Sequence, residues 1–217
     1  MPPAKASPLR SKSANSKKAL PRPTANGDTA AVLTPSGIQD HVVSHARSES
    51  RTMQTLTLAR LLQETPPPLG VDLAFFDLED SGRPGHPEEF CQGSLEMARR
   101  WISPYPDWVL VLDMVGSDRT EFGREQYSQL RAPELLDLVF QIAEEKGFTE
   151  WNSFSSFAIV DDHLPWQSVG VPAAVLVGFN DPNWHTVRDD PMRTSPRRLG
   201  RVGEVVLELI YGGYLSN

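Results

Sequence analysis

The chain has 217 residues, 21 Lys+Arg, 28 Asp+Glu and a formal net charge of -7, which argues against a general nucleic-acid binder. No apolar run approaches the roughly 20 residues that span a bilayer, and the single cysteine, Cys91, excludes a disulfide framework or a Cys-rich metal module. The 39% apolar fraction supports a core of modest size.

The charge is unevenly distributed. Residues 1–51 carry +5 and the remainder -12. The first 50 residues are rich in Ser, Ala, Pro, Thr and Asn and contain no Phe, Trp or Tyr. Such a segment buries too little apolar surface to offset its ordering entropy, so a disordered basic tail over 1–51 and a folded domain over 52–217 are expected. The tail does not read as a secretory signal, because no apolar stretch of about 7–15 residues follows its basic start.

Met53, Leu56, Leu61 and Leu62 keep helical spacing, ended by Pro66-Pro67-Pro68. Val71 to Phe76 reads as a short strand, and Gly93 to Trp101 as a helix with Met97, Ala98 and Trp101 on one face. Trp108 to Met114 is a second, buried strand. Pro133 suits a helix first turn; Leu135, Leu138, Val139 and Ile142 form its inner stripe, and Gly147 ends it. A third strand is expected at Phe157–Val160 and a fourth at Pro172–Gly178. Ser195-Pro196 opens a last helix carrying Leu199, Val202, Val206, Leu209 and Ile210. Apolar strands alternating with helices predict an α/β domain, three layers deep, with a mixed, largely parallel central sheet.

In open α/β sheets chemistry gathers outside the carboxyl ends of the strands. Asp77-Leu78-Glu79-Asp80 follows the first expected strand, Asp113 ends the second, Asp161-Asp162-His163 follows the third, and Asn183-Trp184-His185-Thr186 lies beyond the fourth. Any one carboxylate there could be a helix cap. Asp113 is harder to dismiss, since an ionised carboxylate inside an apolar run needs a compensating partner. Adjacent Glu and Asp after a strand, with a His from a distant loop, fit a zinc site beside a general base.

The order FFDLED, LDMVG, DDHLPW and WHT resembles the zinc-dependent aminopeptidase and glutaminyl cyclase superfamily, from about Leu56 to Tyr211. The resemblance implies a zinc-exopeptidase-like fold and a zinc cofactor. Glu79 stands where the family has its general acid/base, and Asp80 and His185 where it has zinc ligands. Asp113 matches either a second-metal ligand or, in a one-zinc cyclase, a carboxylate near the substrate amine, and Asp161 would help to hold Glu79 and that amine. Trp184 and the Asp161-Asp162 doublet resemble the cyclase branch, where a Trp walls the pocket for the glutaminyl side chain. The implied partner is a peptide or protein N-terminus, and the implied reaction converts N-terminal glutamine to pyroglutamate. An aminopeptidase of the same superfamily and a non-catalytic remnant are the alternatives. Relatives are usually exported.

Two departures stand out. Leu78 occupies a position where the family usually has Gly. The family's further zinc carboxylate, in a G-A-x-D-like stretch before the first helix, has no counterpart near Arg47; Asp40, His41, His45 and Glu49 are close by but in the wrong order. The expectation is therefore a chain truncated at the N-terminal side of the domain, with weak zinc binding.

Overall fold

A computed structural model describes residues 29–35 and 57–214, apart from positions 118, 120, 179, 184, 185, 187, 189 and 190. Six strands are described: β1 (Thr29–Pro35), β2 (Gly70–Phe76), β3 (Trp108–Asp113), β4 (Phe122–Glu125), β5 (Trp151–Phe157) and β6 (Ala173–Val177). The helices are α1 (Gln92–Arg100), α2 (Gln126–Arg131), α3 (Pro133–Glu145), α4 (His163–Ser168) and α5 (Pro196–Tyr211). Residues 57–64 are helical as well.

The main sheet has the order β2-β1-β3-β6, and every pairing in it is parallel. Its strands therefore all point their carboxyl ends to one edge. β4 and β5 form a separate parallel pair, with an irregular register between Gly123 and Arg124.

The pleat of β3 divides the core into two. Leu110 and Leu112 face one cluster, with Ala174 and Leu176 of β6, Leu135, Val139 and Ile142 of α3, and Val202, Val206 and Leu209 of α5. Val109 and Val111 face the other, with Val175 and Val177 of β6, Ala98 of α1 and Trp166 of α4. β3 is buried along its whole length. A strand sandwiched on both faces has no polar side to alternate to, so it reads as a continuous apolar run. This is the expected α/β/α layering.

Helix α3 starts with Pro133 in its first turn, and Gly147, at φ +71°, takes the left-handed conformation just past its end. The Ser195 hydroxyl accepts the Arg198 N–H and caps α5.

Two expectations need correction. Strand β1 lies within the span expected to be disordered and inserts between β2 and β3. A run of two alanines, two threonines and a proline around Val32-Leu33 has little apolar surface of its own; two flanking strands supply its hydrogen bonds. The third strand runs over Trp151–Phe157, not Phe157–Val160, because a polar-rich WNSFSSF segment pairs with β4 and escapes an apolar-run reading. Strand β4 and the short helices α2 and α4 had no signature in the sequence. Met53, Leu56 and the residues Asp40, His41, His45 and Glu49 lie outside the described residues.

Candidate active site

The loop after β2 is clamped to the start of α1. Cys91, Gln92 and Gly93 donate backbone N–H groups to the carbonyls of Glu79, Leu78 and Asp77, at 3.0, 3.2 and 3.1 Å. Gly93 is required for this approach: a Cβ there would lie 2.6 Å from the Asp77 carbonyl oxygen. Leu78 (φ +54°), Cys91 (φ +56°) and Met114 (φ +50°) all take the left-handed conformation. That region costs an L-residue roughly 1–2 kcal/mol. The three left-handed non-glycine residues thus flank the predicted functional positions, as backbone strain often does. The family's usual Gly at position 78 now has a physical reason, and Leu78 is the strained exception.

The predicted carboxylates come together. Glu79 is half-buried and Asp80 exposed, whereas Asp113 is 5% and Asp161 1% exposed. Asp162 and His163 are fully buried at the start of α4. Burial first, then the negative charges of Asp113, Glu79 and Asp162, hold the Asp161 carboxyl well above the usual carboxylate range. Asp161 Oδ1 accepts the Asp162 backbone N–H at 2.6 Å, and its Oδ2 is buried with no donor among the described residues. Burial and then Asp162, Asp161, Glu79 and Asp80 push the Cys91 thiol up, so it stays protonated. Asp162 accepts the Ser94 hydroxyl from α1, which ties that helix to the cluster.

A second buried polar group stands behind the first. His163 Nε2 lies 3.2 Å from Glu125 Oε2, and both side chains are wholly buried. Glu125 accepts the N–H groups of Tyr127 (3.0 Å), Ser128 (2.6 Å) and Ile159 (3.3 Å) and the Ser128 hydroxyl (2.8 Å). The Val175 N–H in turn donates to Ser128 Oγ at 3.0 Å. Burial opposes ionisation of Glu125, but His163 and the N–H groups of Ser128 and Tyr127 outweigh it and hold its carboxyl below the ordinary value. Sequence reasoning missed Glu125; its only local signal is an acidic residue just before a short helix.

Of the two predicted zinc ligands, Asp80 lies at the cluster. His185 and the pocket-wall Trp184 lie outside the described residues; their neighbour Thr186 donates its N–H and hydroxyl to the Asn183 carbonyl, at 3.1 and 2.8 Å. A cation fits this place on chemical grounds. Glu79, Asp113 and Asp162 bear on Asp161, whose Oδ2 is buried without a hydrogen-bond partner among the described residues. Among the described residues, the one close-set trio of potential ligands is His86, Glu88 and Glu89, on the surface. Hydrogen bonds account for it: His86 pairs with Glu88, and Glu89 pairs with Arg83.

The chain is similar in sequence and fold to known proteins. The model of Peptidase family M28 matches residues 50–210. Glutaminyl-peptide cyclotransferase of Bos taurus is 26% identical over 177 residues, covering 69% of this chain and 49% of the bovine protein. The chain thus spans about half the length of the curated relatives it matches. Among solved structures, a Porphyromonas gingivalis glutaminyl cyclase superposes with a TM-score of 0.77 at 28% identity, over 85% of this chain and 71% of that one. A leucine aminopeptidase precursor from Bacteroides thetaiotaomicron also reaches 0.77, at 26% identity, over 86% and 72%.

Proposed function

The chain belongs to peptidase family M28, and we propose that within it the protein is a glutaminyl-peptide cyclotransferase, converting an N-terminal glutamine to pyroglutamate with release of ammonia. The observation that carries this reading is the convergence of Glu79, Asp113 and Asp162 on the buried Asp161, whose carboxyl burial and these like charges raise. The Asp161-Asp162 doublet and Trp184, which resemble the cyclase branch, favour it over peptide hydrolysis.

The reaction joins the peptide's α-amine to the γ-carbonyl carbon of its own side chain, closing a five-membered ring. Enclosing the first residue orients the amine against that carbonyl, an entropic advantage. Glu79 takes a proton from the attacking amine and delivers one to the departing ammonia. Asp113, buried at the end of β3, faces the amine as a fixed negative group. Asp161, buried among like charges that raise its carboxyl, would help to hold Glu79 and the amine in place. Asp80 and His185 would hold a zinc ion, which when bound supplies a Lewis acid to polarise the γ-carbonyl.

Similarity to a leucine aminopeptidase precursor supports the second reading, in which Glu79 activates water and Asp113 serves a second metal. The full chain should release ammonia from a glutaminyl peptide and leave leucyl substrates intact, with metal content followed by mass spectrometry. Robust leucyl hydrolysis with two zinc ions per chain would reverse the preference. A chain with neither activity nor zinc would instead be a remnant, as a ligand set limited to Asp80 and His185 would make it.

A further inference from the structure

A cavity of about 320 Å³ opens between the loop after β3, the start of β5 and the first turns of α5. Arg119, Arg197, Arg198 and Arg201 line it against only Glu121 and Glu150. Glu150 is already engaged: Arg201 Nη1 donates to both of its oxygens, at 2.8 and 2.6 Å, and Arg198 Nη1 lies 3.0 Å away. Burial opposes the charge on Glu150, but the Arg201 hydrogen bond and the charges of Arg198 and Arg201 hold its carboxyl below the ordinary value. Glu150 thus fixes two guanidinium groups in the wall. Arg198 and Arg201 also lie against the rings of Phe122 and Phe148, at 5.7 and 4.8 Å from the ring centres. Arg119 and Arg197 are exposed and have no acidic partner among the described residues. The lining therefore carries an excess of positive charge in a chain whose net charge is -7.

The cavity is close to the candidate active site. Ser195, in its wall, donates its N–H to the Gly116 carbonyl at 2.8 Å, and Thr194 bridges to Ser117. Gly116 lies three residues beyond Asp113, so the backbone path between them is at most about 11 Å. The cavity wall is thus joined through Gly116 to the chain that leaves β3 at Asp113. At 320 Å³ the cavity is at the small end of ligand pockets, about 300–1,000 Å³, and has room for an acidic side chain.

We infer that this arginine-lined cavity is a subsite for a carboxylate-bearing residue of the substrate, downstream of its N-terminal residue, so that acidic peptides are the preferred class. The inference rests on the reading of the neighbouring site as one for peptide N-termini. Planar guanidinium forks match a carboxylate through paired, charge-assisted hydrogen bonds.

The test compares two peptides with the same pyroglutamyl first residue, one carrying Glu at positions two and three, the other Gln. Binding to the full chain and to its Arg119→Gln and Arg197→Gln variants is measured by calorimetry. These two arginines are chosen because Arg198 and Arg201 hold Glu150. The acidic peptide should bind about tenfold more tightly, the preference should shrink in each variant, and added salt should weaken it. Equal binding of the two peptides overturns the inference. Inorganic phosphate is titrated in parallel. Phosphate that binds through the same arginines without competing with the acidic peptide would make this a free-anion site and sink the substrate assignment. Ammonia release from the matching glutaminyl peptides separates the two readings. Turnover without acidic preference defeats the subsite alone; acidic preference in binding without any turnover defeats the cyclase reading and leaves the subsite standing.

Discussion

Two buried polar groups lie within a few residues of each other and are built on opposite principles. Around Glu125 three backbone N–H groups and the Ser128 hydroxyl donate, and the His163 imidazole lies 3.2 Å away. Around Asp161 the neighbours are Asp113, Glu79 and Asp162, all of the same sign. The first group has its charge satisfied and fixes the approach of α4 to the second sheet. The second accumulates charge that burial penalises, which a fold optimised for stability alone would avoid. Asp161-Asp162-His163 belongs to both, so the satisfied group serves as the support on which the strained one is held.

The comparison can be broken most sharply at Glu79. Glu79→Gln should lower turnover of a glutaminyl peptide by about 10²–10⁴-fold, since a general base is lost, with metal content by mass spectrometry nearly unchanged. Loss of the metal instead would make Glu79 a ligand. His185→Ala should do the converse and release metal, because a ligand is removed. On the satisfied side, Glu125→Ala should cost about 3–5 kcal/mol in denaturant unfolding, as removal of one member of a buried pair does. The folded carboxyl of Glu125 sits below its unfolded value. Its contribution is therefore present above about pH 4.3 and is lost as the pH falls through the folded value. A variant as stable as the parent at pH 7 would show that the network is not structural.

Asp161→Asn should act in the opposite direction. The Asp161 carboxyl is raised in the folded state, so the native protein binds its proton more tightly than the unfolded chain does. Stability therefore declines as the pH rises from about 3.9 toward the folded value. In metal-stripped protein the Asn variant should be more stable than the parent at pH 7.5 and little changed at pH 4, while losing activity. A loss of stability at both pH values would reverse the assignment. The smallest effect is expected at Leu78. Leu78→Gly relieves a left-handed residue, and the melting temperature should rise by an amount equivalent to at most about 1 kcal/mol. A fall would mean that the Leu78 side chain contributes more packing than its backbone costs.

The elements that carried a strong local signal were legible in the sequence. β3 and β6 are apolar throughout because both faces are covered, α3 has Pro133 and Gly147 at its ends, and α5 has its cap and inner stripe. The clusters after β2 and β3 could be assigned to one sheet edge because parallel strands carry whatever follows them to the same side, whereas Asp161-Asp162-His163 follows β5 of the separate pair and reaches that edge through packing. β1 and β5 were not legible. Their alanine-, threonine- and serine-rich runs are strands only because partners offer ladder hydrogen bonds, and propensity yields to that context.

The sequence by itself determined which residues could do chemistry and in what order they reach the sheet edge. It also marked Leu78 as an exception, through its place in a motif. Tertiary structure decided what those residues experience. That the Asp161 carboxyl is raised while that of Glu125 is lowered follows from which groups the fold sets around each, like charges in one case and donors in the other. Both are carboxylates in short polar segments, and nothing local distinguishes them. Electrostatic energy depends on distance and burial, and those exist only once α4, β4 and the loop after β2 are packed together.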